Sequence, residues 1–244
     1  MIAALGMYDR PEVAHANDAL WKLIRDNLGY GPDALTRDMP FWDIWRSPDL
    51  LLSQTCGLPF RSGLHKHVKL VGTPDYGLRD CAPGYYHSVI VARRSSGESL
   101  ANVSALSLAY NERLSQSGWA AFWDHIPRGE EPKDLIETGG HAASAKAVAD
   151  GTADIASLDA LTWELIHQFD AFADQLEVIA TTRPTPGLPY ITAEGRDFTA
   201  IRDAVKNAIA ALGDDMRELL HLKSLVEIPS DKYLAIPMPP NIDA

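Results

Sequence analysis

Ser115, Gln116, Ser117 and Gly118 stand together at the head of an aromatic, helix-like run, NERLSQSGWAAFWDHI. All four are small or polar and none is charged. Two kinds of chemistry use such a group. A serine at an N-cap gives its oxygen to an orphan backbone N–H and stabilises a helix by about 1 kcal/mol. A helix start flanked by hydroxyls also holds a phosphate or carboxylate through free N–H groups, without Lys or Arg.

Further clusters carry the same kind of chemistry. Gly139 and Gly140 precede His141, which opens a helical run. A glycine pair lets backbone approach a ligand closely. His141 then offers an anion a hydrogen bond, or else is a solvated histidine whose positive form the helix dipole disfavours. Ser144 lies one turn further on. Asp159 closes ADIASLD and precedes ALTW. It is an N-cap, or an acceptor for a protonated ligand oxygen or an ammonium group. Tyr8 and Asp9 follow the first apolar run, and Ser53, Gln54 and Thr55 follow another. Tyr85, Tyr86, His87 and Ser88 form a polar–aromatic group. Each tyrosine is either core or a pocket lining whose hydroxyl faces a ligand.

Enzyme signatures are missing. There is no Walker loop, no dinucleotide fingerprint and no Gly-x-Ser-x-Gly elbow. His65 and His67 share one face of a strand but have no further ligands, so neither a metal nor a cofactor is expected. Cys56 and Cys81 are too few for a disulfide scaffold, though one bridge between them is open.

The elements that must position these groups follow from periodicity. MIAALGMY, DLLLSQT, HVKLVGTP, YYHSVIVARR, VSALSLAY, DLIETGG, ADIASLD and LEVIATT read as strands. PEVAHANDALWKLIRDNLG, the aromatic run, HAASAKAVADG, ALTWELIHQFDAF and a stretch from Phe198 to about Leu225 read as helices. Strands alternate with helices, the pattern of a parallel, helix-covered sheet. The polar clusters fall at strand C-terminal ends, where open α/β sheets bind ligands. The 244 residues fit one large domain or two lobes, with 46% hydrophobic and 23% charged residues. A net charge of −11 excludes a nucleic-acid or anionic-lipid partner. A small anion remains admissible, because a few oriented dipoles outweigh distant net charge. No apolar run is long enough to span a membrane. The short apolar N-terminus lacks a signal-peptide pattern. The expected home is therefore the periplasm if a signal has been removed, and otherwise the cytoplasm.

The ordered set GYYHSVIVARR, YNERLSQSGW, TGGHAASAKAVADGTADIASLD and TTRPTPGLPYI resembles the phosphate/phosphite/phosphonate-binding proteins of ABC transporters, from Ala3 to about Leu225. The family's Ser-x-Ser-Gly is matched by Ser115 to Gly118, its Gly–His by Gly140 and His141, and its acidic residue after Asp-Ile-Ala by Asp159. The resemblance implies a two-lobed, type II periplasmic-binding-protein fold of mixed sheets covered by helices, with a ligand cleft between lobes. It implies lobes of residues 1–93 plus 177–244 and 94–176, with hinge positions at Ser95, Ser96 and Gly97 and at Thr181 and Thr182. Ser115, Gln116, Ser117, Gly118, His141 and Asp159 would hold the anionic head, and Tyr8, Ser53, Gln54, Thr55 and Tyr86 would reach it from the first lobe. The implied partners are a small anionic ligand and an ABC-transporter permease. The alternatives are a cytoplasmic enzyme on this fold, like those of menaquinone biosynthesis, with His141 or Asp159 as acid or base, and a cytoplasmic ligand sensor.

Overall fold

The computed structural model describes residues 1–240. They form two compact units. The first comprises Met1–Tyr85 and Pro186–Ile236, and the second comprises Tyr86–Thr185 and residues 237–240.

The first unit is built on a five-stranded sheet. Its order is β1 (Ile2–Ala4), β2 (Leu50–Gln54), β11 (Tyr190–Ala193), β3 (Val68–Asp75) and β12 (Ser224–Val226). β1 and β2 are parallel, β11 runs antiparallel to β2 and β3, and β12 antiparallel to β3. Every residue of β2 is buried: three leucines, then Ser53 and Gln54. Helix α1 (Ala14–Leu28) packs against α7 (Phe198–Ala211). Their apolar stripes bury Leu20, Ile24, Ile201 and Val205. Gly29 ends α1 in the left-handed region, φ 76°, and its N–H bonds to the carbonyl of Arg25. A second core gathers Trp45 of α2 (Phe41–Arg46), Phe60 of α3 (Gly57–Ser62) and Tyr233 of α9 (Ser230–Leu234) around Leu50 and Ile191.

The second unit has its own five-stranded sheet. Its order is β7 (Asp134–Glu137), β6 (Ser107–Tyr110), β8 (Ile155–Asp159), β5 (Ser88–Arg93) and β9 (Leu176–Thr181). β6 is parallel to β7 and β8, whereas β5 is antiparallel to β8 and β9. Ile90, Leu108, Phe122, Ile126 and Ile155 form its core. Helices α4 (Ala121–His125), α5 (His141–Ala149) and α6 (Ala160–Phe169) complete it.

Several expectations change. The sheets are mixed, as the family resemblance implies, and not parallel as strand–helix alternation alone suggests. The helix expected to run to Leu225 stops at Ala211, before Gly213, and resumes only as α8 (Asp214–Leu219) ahead of β12. Strand β6 is short because a 3-10 stretch fills Leu100–Ala105. The expected lobe boundaries also shift. β5 pairs with β9 along its length, from Val89 opposite Thr181 to Arg93 opposite Leu176. Both strands therefore belong whole to the second unit. The chain passes between units at Tyr85–Tyr86 in β4 (Tyr85–Tyr86), at Thr185–Pro186 in β10 (Thr185–Pro186), and a third time at Ile236–Pro237. The turn at Ser95, Ser96 and Gly97 is thus internal to one unit and not a hinge. Its Ser95 N–H donates to Glu177 Oε1 at 2.8 Å.

Cys56 and Cys81 are not joined by a disulfide. Burial, with Asp80 and Asp75 nearby, pushes the Cys81 thiol up to about 11. Thiol titration of denatured, unreduced protein should count two thiols; a count of zero would restore the bridge. Among the described residues no helix is long and apolar enough to cross a membrane.

Candidate functional site

The second unit brings most of the expected residues to one edge. β6, β7 and β8 are parallel neighbours, so their C-terminal ends lie on the same side of the sheet. Ser115 to Gly118 follow β6, Gly139 to His141 follow β7, and Asp159 ends β8.

The helix after β6 opens with a π turn, Gln116–Ala120, and continues as α4. Such turns are rare and concentrate at functional sites. Ser115 Oγ accepts the N–H of Gly118 at 2.9 Å, so the capping reading holds for Ser115. Ser117 does something else. Its hydroxyl lies 2.9 Å from His141 Nε2 and 3.5 Å from Ser115 Oγ. Its carbonyl accepts the Ser157 hydroxyl at 2.7 Å, which ties the turn to β8. Gln116 is buried beside it. Gly118 is required by space. A Cβ there would fall 1.9 Å from Asn111 Oδ1.

His141 is placed by a relay of backbone bonds. Thr138 donates its N–H to the Tyr110 carbonyl at 2.9 Å, and Gly139 donates to the Asn111 carbonyl at 2.9 Å. Gly139 takes φ 80°, which favours glycine. Ser144 turns to Thr138 Oγ1 at 2.6 Å and so has a structural role. His141 is half-buried, and its Nδ1 is buried. Burial pushes its pKa down to about 4, partly offset by the Ser157 backbone. The imidazole is neutral at pH 7, so one nitrogen donates and the other accepts. A serine hydroxyl against an imidazole is half of a nucleophile–base system. Among the described residues Nδ1 has no hydrogen-bond partner, so none of them supplies the carboxylate that orients such a base.

Asp159 is 2% exposed and accepts the Thr162 N–H at 3.0 Å, capping α6. Tyr86, expected in the first lobe, is buried and falls in the second unit.

In the first unit, Tyr8 follows β1, and Gln54 ends β2 and precedes Thr55. Tyr8 meets Tyr76 edge-on with ring centroids 5.2 Å apart. Gln54 Nε2 donates to Tyr76 Oη and to the Leu188 carbonyl, both at 3.0 Å. A small cavity of about 20 Å³ is lined by Tyr8, Asn17, Gln54, Tyr76 and Tyr190, among leucines. It has room for one water. Burial raises the Tyr190 phenol, while its hydrogen bond with Tyr76 opposes that. Ser53 is fully buried and bonds to the Gln54 carbonyl at 3.3 Å. Strand alternation turns it away from the face that Gln54 uses. Thr55 Oγ1 is fully buried and has no hydrogen-bond partner among the described residues. Asn17, Tyr76 and Tyr190 were not singled out from sequence. The only signal was a tyrosine beside each of two proline turns, PDY and LPY.

The sequence matches, over residues 62–231, the family described as the periplasmic substrate-binding protein of the phosphonate ABC transporter. The chain belongs to this family. It is a family of substrate-binding proteins rather than of enzymes, and a periplasmic one. No curated protein sequence matches this phosphonate-family protein. Its fold is that of solved binding proteins. A binding-protein component of an ABC phosphonate transporter from Pseudomonas aeruginosa aligns at 17% identity and TM-score 0.69, over 96% of this chain and 83% of that one. PhnD1 from Prochlorococcus marinus, in complex with methylphosphonate, aligns at 16% and 0.73, over 95% and 93%. XAC2383 from Xanthomonas citri, bound to ATP, aligns at 15% and 0.69, over 96% and 94%. The two-lobed fold that the motifs of this binding protein led one to expect is thus the fold of these solved neighbours.

Proposed function

We propose that this protein captures a small phosphonate- or phosphate-like oxyanion for an ABC-transporter permease, and that the turn after β6 holds the anionic head. The observation that supports this most is the Ser117 hydroxyl, 2.9 Å from the ring of a neutral histidine at the head of a helix. When Nε2 carries the ring proton it donates a hydrogen bond to Ser117 Oγ, which leaves the serine O–H to donate a hydrogen bond to a ligand oxygen. The first turn of the helix adds backbone N–H groups beyond the one spent on Ser115. These are neutral dipoles fixed in advance, so they favour an anion despite the net charge of −11. Asp159 accepts from a protonated ligand oxygen. Tyr8 and Gln54 are the proposed contacts from the first unit.

Titration calorimetry with methylphosphonate and inorganic phosphate tests the proposal. Ser117→Ala should weaken the tighter ligand roughly 5- to 150-fold, the equivalent of about 1–3 kcal/mol for one unsatisfied partner. Melting of the unliganded protein should change much less. No binding of either anion, or unchanged affinity in the variant, would remove the role given to this turn. Phosphorus NMR of ligand recovered after incubation separates capture from catalysis, because only an enzyme returns a product.

A further inference from the structure

The chain leaves its first unit three times, and the third passage ends on the turn described above. Ile236 closes the first unit, and residues 237–240 belong to the second. Within four residues the Pro240 carbonyl accepts the indole N–H of Trp119 at 3.2 Å. Trp119 directly follows Ser117 and Gly118 and lies inside the π turn. It is fully buried. Its ring packs 4.7 Å from Tyr110 and 5.3 Å from Trp123, and the Arg113 guanidinium sits 4.7 Å over it.

The other end of this segment is also fixed. Tyr233 lies three residues before Ile236 and is 2% exposed. Its hydroxyl is 2.6 Å from Thr73 Oγ1 and donates to the Gly187 carbonyl at 3.0 Å. Gly187 immediately follows the second passage of the chain, Thr185–Pro186, and its N–H bonds to the carbonyl of Gly84, just before the first. One buried tyrosine thus anchors the start of the third passage and the exit of the second. Between the anchors the chain reads Pro-Met-Pro-Pro. Proline-rich segments are stiff and extended at about 3.1 Å per residue, so this one is a spacer and not a slack tail.

We propose that residues 237–240 are a positioning strap. They hold the Trp119 ring, and through it the Ser117–Gly118 turn, in binding-ready geometry, and they join that turn to the anchor at Tyr233. Trp119 is a positioning residue that touches no ligand. The inference rests on the oxyanion role proposed for Ser117.

The test uses full-length protein in two variants. Trp119→Phe keeps an aromatic ring, though a smaller one, and removes the N–H. Replacing Pro237, Pro239 and Pro240 together by glycine keeps the carbonyls and removes the stiffness. Each should weaken methylphosphonate or phosphate about 3- to 30-fold, chiefly through faster release, with little change in circular dichroism. Combined, they should weaken binding hardly more than either alone, since both cut one strap. A readout without ligand keeps this separate from the proposed function. The Trp119 indole proton, assigned by its loss in Trp119→Phe, should exchange with solvent slowly in the parent and at least tenfold faster in the glycine variant. Unchanged exchange there would overturn the strap, whatever anion is bound. Strictly multiplicative effects in the combined variant would also overturn it. If the parent binds neither anion while exchange behaves as stated, the strap stands and the ligand assignment falls.

Discussion

Gly118→Ala should abolish measurable anion capture, a loss of at least about 100-fold, and lower stability by about 1–3 kcal/mol, the usual cost of overpacking. The added methyl would lie 1.9 Å from Asn111 Oδ1, so the asparagine side chain has to leave. That displacement does not stay local. The Asn111 carbonyl accepts the Gly139 N–H at 2.9 Å, and Gly139 sets the approach to His141. One methyl therefore disturbs both loops that carry the Ser117–His141 pair. Adding Asn111→Ala removes the overlap, so the double variant should regain most of the stability. Calorimetry and thermal melting on the three proteins decide the matter. Affinity within threefold of the parent in Gly118→Ala would show that the close approach at Asn111 is not needed.

This arrangement was partly legible in the sequence, and the limits have physical causes. Ser115 to Gly118, Gly140–His141 and Asp159 stand out because each follows or ends a strand of the parallel β7–β6–β8 set, where polar residues interrupt apolar runs. The first unit was harder. β2 is buried along its whole length, so its pattern does not tell which of Ser53 and Gln54 faces the cavity. Tyr76 and Tyr190 come together only because β11 inserts between β2 and β3, a sheet order that periodicity does not encode. The unit boundary was misplaced for a similar reason. IVARRSSG and VIATTRP look like connecting segments until the pairing of the strands they overlap is known. The third passage left almost no mark except the prolines.

The second large effect concerns His141 and acid. Its folded pKa of about 4 lies below the ordinary 6.5, because burial penalises the cation. Between those values the unfolded chain binds a proton that the folded protein refuses. Stability therefore rises with pH across the window from 4 to 6.5 and is lost progressively as pH falls through it. The full difference is about 3 kcal/mol, at about 1.4 kcal/mol per pKa unit. Carboxylates titrate at the lower end of the same range, so the comparison that isolates the histidine is with His141→Asn. Urea unfolding at pH 7 and pH 4.5 should show the parent losing about 2 kcal/mol more than the variant. Parallel losses would mean that the ring charges normally in the folded state, and that Ser117 then faces an imidazolium. The same shift bears on binding. From pH 6.5 to 8 the ring stays neutral and the donor set beside Ser117 is constant. In the unliganded protein the ring does not titrate in that range, so the expected source of any pH dependence of affinity there is the ionisation of the ligand.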